Sequence, residues 1–138
     1  MKTQTSSLEL SHFPVMLSEI IKISNPAKGG FFIDCTFGGG SYSKALLKFS
    51  KTEVISFDRD SAVIPIGKKL EQKFKKRFKF YHLKFSQINT VLAKEADAII
   101  FDLGLSSIQL NNLQRGFSFK SKDKLDMSMG LTLSLIHI

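Results

Sequence analysis

The chain has 138 residues, which is enough for one domain with its own core but few for a complete α/β enzyme. Its hydrophobic content of 43 % and charged content of 23 % exclude a disordered chain. A net charge of +8 favours polyanionic partners such as RNA, although scattered lysines are also typical of solvated faces.

The cysteine content and the chain ends indicate a cytoplasmic protein. Cys35 is the single cysteine, so an intrachain disulfide is excluded, which is typical of a reducing compartment. Residues 1–13 lack the apolar segment of a secretory signal. The longest apolar tract, residues 131–138, is too short to span a membrane.

The predicted elements alternate between helices and strands along the chain. The expected helices are residues 15–21, 41–49, 61–74, 87–94 and 108–113, with Pro65 delaying or bending the start of the third. The expected strands are residues 31–35, 54–57, 78–83 and 98–102. The fourth strand is apolar throughout, as in the middle of a parallel sheet. This alternation predicts an α/β fold with a doubly wound, mostly parallel sheet.

Ligands of doubly wound sheets bind outside the carboxyl ends of the strands. The residues that follow the predicted strands are therefore the candidates for function. They include Asp34, Asp58, Phe85 and Asp102.

A glycine loop, Gly38-Gly39-Gly40, follows the first predicted strand. Glycines there allow backbone N–H groups to approach a ligand at a helix N-terminus, although a tight strand-to-helix turn needs the same residues. Asp58 ends the second strand, twenty positions after Gly38, where a carboxylate can accept the ribose hydroxyl protons of an adenosine. Asp60 is interpreted as a helix cap.

The residues around the glycine loop favour a methyl donor over a dinucleotide. Ser43 stands where a dinucleotide fingerprint needs a third small residue, so that match is poor. Asp34 at the mouth of the loop would repel a pyrophosphate but attract the methionine ammonium group of S-adenosylmethionine.

Asp102, Ser106 and Ser107 follow the fourth predicted strand, where the group to be methylated would be presented. Methyl transfer to an amine needs in-line approach and acceptors for the amine N–H groups more than it needs a strong base. These three residues are the candidate catalytic residues. Ser106 and Ser107 are equally suited to cap the helix that follows them.

Six motifs in one order carry a resemblance to a known family. They are His12 to Glu19, Asp34 to Ser43, Phe57 to Asp60, Phe85-Ser86, Asp102 to Leu110, and Arg115 to Phe119 with Leu125-Asp126-Met127. Together they resemble the RsmH (MraW) family of ribosomal RNA small-subunit (16S) N4-cytidine methyltransferases, over about residues 12–129.

The resemblance implies a Rossmann-like fold of the S-adenosylmethionine-dependent type, a cytidine N4 amino group in ribosomal RNA as the acceptor, and no metal. The cofactor contacts that it implies fall on Gly40, Ser41, Tyr42, Asp58, Phe85, Asp102 and Gln109. The family usually has Gly-Gly-His where this chain has Gly40-Ser41-Tyr42, so Ser41 adds a side chain near the methionine end.

The same resemblance implies that the chain is an N-terminal portion of the methyltransferase domain. Residues 1–130 are assigned to this domain, whereas residues 131–138 are apolar, uncharged and unlike the family, and are interpreted as a non-native tail. The family's insertion domain and remaining strands would then be absent. We expect such a fragment to be inactive alone and prone to associate through its open sheet edge.

Two other functions remain open from the residues alone. One is an NAD-linked oxidoreductase, and the other is a non-catalytic RNA-binding module, which would not require Asp34, Asp58 and Asp102 together at strand ends. The basic run from Lys68 to Lys79 can follow RNA phosphates, but the interpretation as a solvated face is favoured.

Overall fold

The computed structural model describes residues 14–124 and 126–129. Four parallel strands form one sheet: β1 (Gly30–Asp34), β2 (Thr52–Asp58), β3 (Phe78–His82) and β4 (Ala98–Ile100). Their order across the sheet is β3-β2-β1-β4. The predicted α/β class with a doubly wound parallel sheet is confirmed, and the order reverses direction at β1.

Within the described residues, four α-helices connect and cover the strands: α1 (Leu17–Ser24), α2 (Ser41–Leu47), α3 (Ile64–Phe74) and α4 (Ser107–Asn111). Short 3-10 helices occupy Pro26–Lys28, Ser61–Val63, Lys75–Arg77, Phe85–Thr90 and Leu113–Arg115. Pro65 lies in the first turn of α3, where its missing N–H costs nothing, and the helix begins late as expected. In the described part of the chain, no helix has the length and apolar character needed to cross a bilayer.

The two faces of the sheet bury separate apolar clusters, because successive side chains of a strand point to opposite faces. On one face, Phe32, Val54 and Phe80 pack under the helices α1, α2 and α3. On the other face, Phe31 and Ile33 join Cys35 and Phe57, covered by apolar side chains from residues 81–96. This double cover explains why β1 and β2 read as continuous apolar runs.

Helix α3 and strand β3 approach each other closely at Gly67. A Cβ atom placed on Gly67 would lie 2.3 Å from the Phe80 ring, so a side chain there is incompatible with the observed packing. Leu70 on the same helix is also buried. The glycine therefore sets the distance between α3 and the sheet.

One predicted helix is wrong in type, and the other four differ from the structure by at most three residues at an end. The predicted helix at residues 87–94 is instead the 3-10 helix Phe85–Thr90, in which the Thr90 hydroxyl donates to the Gln87 carbonyl at 2.7 Å. Such side-chain bonds to the backbone compete with α-helical bonding. The predicted helix at 108–113 ends at Asn111, where α4 gives way to a separate 3-10 helix.

Strand β4 lies at one end of the described sheet and pairs only with β1 there. The apolar run of residues 98–102 suggested the middle of a sheet, but Ile99 is 48 % exposed and Phe101 is 51 % exposed. The expectation that this strand forms an open edge in this chain agrees with the described part. The predicted tail at 131–138 and the motif residue His12 lie outside the described residues.

Candidate functional site

A cavity of about 690 Å³ opens at the carboxyl ends of the strands, on the edge where ligands of doubly wound sheets bind. Residues that follow all four strands line it. They include Thr36, Phe37, Gly38, Gly39, Asp58, Arg59, Lys84, Phe85, Asp102 and Leu103, together with Ser41, Tyr42, Ser106, Ser107 and Gln109. The volume lies within the range typical of small-molecule sites.

The glycine loop forms one wall of the cavity. Gly38 and Gly40 adopt φ values of 50° and 76°, a conformation that side chains disfavour. A Cβ atom on Gly40 would also lie 2.8 Å from the Phe37 ring, so the turn depends on glycine there. Gly39 lies on the wall with nothing within 4 Å of an added Cβ, and its open position was not singled out in the sequence.

Asp58 lies on the wall with its carboxylate held by two backbone groups. Gly38 N–H donates to Oδ2 and Asp60 N–H donates to Oδ1, both at 2.8 Å. Burial raises the pKa of Asp58 above its ordinary value, while these two hydrogen bonds oppose the rise. Each oxygen retains a lone pair, so the carboxylate can accept two further hydrogen bonds in a fixed orientation.

Asp34 lies beneath the glycine loop and not on the cavity wall. Its carboxylate is fully buried, and it accepts from the Ser43 hydroxyl at 2.6 Å and from Thr36 N–H at 3.2 Å. Burial raises the pKa of Asp34 to about 6, although these hydrogen bonds lower it in part. Its contact with a ligand ammonium group stays a prediction; in the observed arrangement the carboxylate supports the loop instead.

Tyr42 and Asp102 meet where α2 faces the segment after β4. The Tyr42 hydroxyl lies 2.6 Å from the Val15 carbonyl oxygen and 3.2 Å from Asp102 Oδ2. Burial, followed by the nearby Asp102 charge, raises the pKa of Tyr42 to about 12, so it stays a neutral donor. Asp102 N–H donates to Thr36 Oγ1 at 2.8 Å, which fixes the backbone that carries this exposed carboxylate.

Phe85 presents an aromatic ring to the cavity, and its contact with an adenine stays a prediction. The ring is 43 % exposed, and it packs edge-on against Phe101 with ring centroids 5.4 Å apart. The cations Arg59 and Lys84 also line the cavity. An exposed aromatic ring suits packing against a flat heterocycle.

Ser106 is the N-cap of α4. Its hydroxyl accepts from Gln109 N–H at 3.3 Å, and the Gln109 side chain accepts from Ser106 N–H at 3.0 Å, which forms a capping box. The capping interpretation of Ser106 is therefore confirmed. Ser107 also lines the cavity, where its predicted catalytic role stays untested.

Gln109 belongs to the cavity lining, but its side-chain amide is bonded within the protein. The residue is buried, and its Nε2 donates to Asp60 Oδ2 at 2.9 Å. Both ends of the side-chain amide are thus engaged within the protein. A direct side-chain contact between Gln109 and a cofactor stays a prediction that this arrangement does not favour.

An ion pair that the sequence analysis missed ties the segment after β4 to the sheet. Asp60 caps the turn at Ala62, as predicted, but its Oδ2 also accepts from Arg115 Nη1 at 2.8 Å. Arg115 Nη2 in turn donates to the Ser128 carbonyl at 3.0 Å. Burial by itself would raise the pKa of Asp60, but the bonds from Arg115 and Gln109 outweigh it and hold the pKa below its usual range.

The structure thus gathers most of the predicted site residues around one cavity. Gly38, Ser41, Tyr42, Asp58, Phe85, Asp102, Ser106, Ser107 and Gln109 all line it, whereas Gly40 and Asp34 lie behind the wall. Thr36 and Arg115 were not predicted. Arg115 stood in a quoted motif, but nothing in the sequence pairs it with Asp60.

The chain resembles one protein family along almost its whole length. A family model described as the MraW methylase family matches residues 9–136. A protein of Ehrlichia ruminantium (strain Gardel), named ribosomal RNA small subunit methyltransferase H, is 41 % identical over 127 residues. A protein of the same name from Rickettsia akari (strain Hartford) is 44 % identical over 120 residues.

These matches cover most of this chain but less than half of each relative. The match to the Ehrlichia protein covers 89 % of this chain and 42 % of that protein. The match to the Rickettsia protein covers 86 % of this chain and 39 % of that protein. The chain therefore spans about two fifths of the length of the curated relatives it matches.

A solved structure supports the fold. The crystal structure of a proposed rRNA-methylase from Clostridium thermocellum superposes with a TM-score of 0.52 at 19 % sequence identity. The match covers 63 % of this chain and 52 % of that one.

Proposed function

Because the chain belongs to the MraW methylase family, we propose that its cavity binds S-adenosylmethionine and serves methyl transfer to small-subunit ribosomal RNA. The names of the relatives support small-subunit ribosomal RNA as the substrate. The arrangement of Asp58, the glycine loop and Phe85 supports S-adenosylmethionine as the cofactor. We further propose the N4 amino group of a cytidine as the acceptor, on the family resemblance alone.

The residues of the cavity fit an adenosine with an amino-acid tail. The oriented Asp58 carboxylate accepts the two ribose hydroxyls, and the exposed Phe85 ring packs against the adenine. Gly38 and Gly39 allow the tail to approach the backbone, beside Ser41. Bound there, S-adenosylmethionine would supply an electrophilic methyl group.

The acceptor side of the cavity is formed by the segment after β4. An exocyclic amine conjugated to a ring is a weak nucleophile, so its orientation matters more than its deprotonation. Asp102 presents an exposed carboxylate that can accept an amine N–H and stabilise the positive charge that develops on nitrogen. The Tyr42 hydroxyl and the bond from Asp102 N–H to Thr36 hold that carboxylate in place.

Asp58 carries the proposal, because it is the wall carboxylate whose orientation two backbone N–H groups fix. Calorimetric titration of S-adenosylhomocysteine should give binding to the parent chain. In Asp58→Asn, an amide replaces one acceptor oxygen, so affinity should fall by about 10- to 100-fold, the scale of charged hydrogen bonds. Asp123→Asn changes an exposed carboxylate outside the cavity and is the matched control.

The same titration separates the two classes of nucleoside ligand. NAD should show no saturable binding, because Ser43 stands where a dinucleotide fingerprint needs a third small residue. Tight NAD binding with no response to S-adenosylhomocysteine would replace the methyltransferase proposal with the oxidoreductase one.

A further inference from the structure

A group of exposed lysines lies at the edge of the sheet opposite the cavity. The strands are parallel, so the connections that lead into them all lie at this edge. Lys28 precedes β1, Lys48 and Lys51 precede β2, and Lys75 and Lys76 precede β3. These five residues are all exposed, and together they are called the basic edge.

Hydrogen bonds join these connections into one surface. Gly30 N–H donates to the Lys51 carbonyl at 3.1 Å, which links the connections before β1 and β2. The Arg77 guanidinium donates to the carbonyls of Phe49 and Thr52, which links the connections before β2 and β3. Adjacent strands lie about 4.8 Å apart, so the lysines follow one another along a continuous edge.

The basic edge has no acidic partner among the described residues. Glu53 pairs with Lys94 at 2.7 Å, and Glu71 pairs with Lys68 and Lys79 on α3 and β3. The connection before β4 is close to neutral, because Lys94 is followed by Glu95 and Asp97. Among the described residues, none of the five lysines of the basic edge forms a salt bridge, and all five lie at the entrances of β1, β2 and β3.

The cavity edge has the opposite character. Asp34, Asp58, Asp60 and Asp102 lie at or just after the strand ends there, against the cations Arg59 and Lys84. Strand β2 has seven residues, so the two edges are roughly 20 Å apart. A small ligand bound in the cavity therefore cannot also contact the basic edge.

We propose that the basic edge is a docking surface for the phosphate backbone of RNA, distinct from the cavity. The identity of the polyanion rests on the proposed function, since a ribosomal RNA substrate extends well beyond 20 Å from the nucleotide that is modified. Exposed lysines suit this contact because they bind phosphates as flexible point charges without reading sequence. The surface would anchor RNA that flanks the modified nucleotide.

The test compares two triple variants in the 138-residue chain. Lys28→Gln/Lys51→Gln/Lys76→Gln removes one lysine from each connection of the basic edge. Lys22→Gln/Lys69→Gln/Lys122→Gln removes three exposed lysines elsewhere and matches the charge change. Fluorescence anisotropy with double-stranded RNA of random sequence is measured over a series of salt concentrations.

Log affinity falls with log salt, and each phosphate contact adds about 0.9 to the steepness of that fall. The slope of the edge variant should therefore be about 3 less steep than the slope of the parent. The control variant should keep the parent slope to within about 1. Equal slopes for the edge variant and the parent, or the same loss in both variants, would overturn the proposal. So would binding of poly-glutamate at the edge without binding of RNA, which would indicate an acidic protein partner.

Titration of S-adenosylhomocysteine into the same variants separates this proposal from the proposed function. The edge variant should bind S-adenosylhomocysteine with the affinity of the parent, because none of its three lysines lines the cavity. If neither binds S-adenosylhomocysteine but the salt slope changes as expected, the cofactor assignment fails while the docking surface stands.

Discussion

The carboxyl group of Asp34 is buried beneath the glycine loop, so its contribution to the free energy of unfolding depends on pH. Its pKa lies near 6 in the folded chain against an ordinary 3.8, because burial outweighs the bonds from Ser43 and Thr36 and the nearby Asp58 adds to the rise. Between these two values the folded state holds a proton that the unfolded chain has released. The free energy of unfolding therefore falls as pH rises through this window.

Asp34→Asn should remove this pH dependence. Below about pH 3 the group is neutral in both states, and above about pH 7 its full cost is present. The unfolding free energy of the parent relative to the variant should therefore drop by about 3 kcal/mol between pH 3 and pH 7. Urea denaturation at several pH values measures it, and a difference that stays constant with pH would contradict a raised pKa.

The Asp60–Arg115 ion pair should matter for stability because Asp60 has 1 % exposure. Arg115→Met leaves a buried carboxylate without its cation, at a cost of about 3 kcal/mol. Asp60→Asn in the Arg115→Met background removes the stranded charge and should recover part of the loss. Urea denaturation of the double-variant cycle gives the coupling, and strictly additive losses would show that the two residues act independently.

Single residues differ in how far the sequence predicts them. The spacing between Gly38 and Asp58 predicted that they lie close together, because Gly38 follows β1 and Asp58 ends the neighbouring strand β2. Gln109 and Arg115 were not predictable in the same way, because they bond Asp60 at sequence separations of 49 and 55 residues. Asp34 was predicted at the correct strand end, but which way its side chain points depends on the Ser43 hydroxyl.

At the scale of elements, the packing of α3 on β3 depends on Gly67. Gly67→Ala should destabilise the chain by about 1–2 kcal/mol, because the clash with the buried Phe80 ring exceeds the helix propensity that alanine adds. Gln72→Ala changes an exposed position of the same helix and is the control. In urea denaturation, a Gly67→Ala variant as stable as the parent would show that α3 can shift away from the sheet.

The strands and long helices were predictable because their periodicity and burial agree. Strands β1 and β2 are buried on both faces, so their apolar runs matched the structure to within two residues. The segment Phe85–Thr90 was less predictable, because Ser, Asn and Thr side chains bond their own backbone and favour a 3-10 turn over an α-helix. The apolar sequence of β4 predicts a strand in the middle of the sheet, although β4 borders solvent in the described part of the chain.

At the scale of the whole molecule, the exposed edge of β4 should promote self-association of this chain. Ile99 and Phe101 present apolar surface beside backbone groups that no described strand covers. Ile99→Lys should therefore reduce association, measured as the concentration dependence of elution volume in size-exclusion chromatography. Ile23→Lys changes an 84 % exposed residue on α1 and should have little effect. Equal elution of parent and Ile99→Lys at all concentrations would exclude this edge.

The thiol of Cys35, the single cysteine of the chain, can be used to measure local opening of the structure. Cys35 has 2 % exposure between β1 and the glycine loop, and burial raises its pKa to about 11. A thiol reagent can therefore react only when the loop lifts or the chain unfolds, so the labelling rate measures how often the site opens. A cavity ligand that closes the loop should slow this labelling, which gives a binding assay that needs no turnover and no engineered probe.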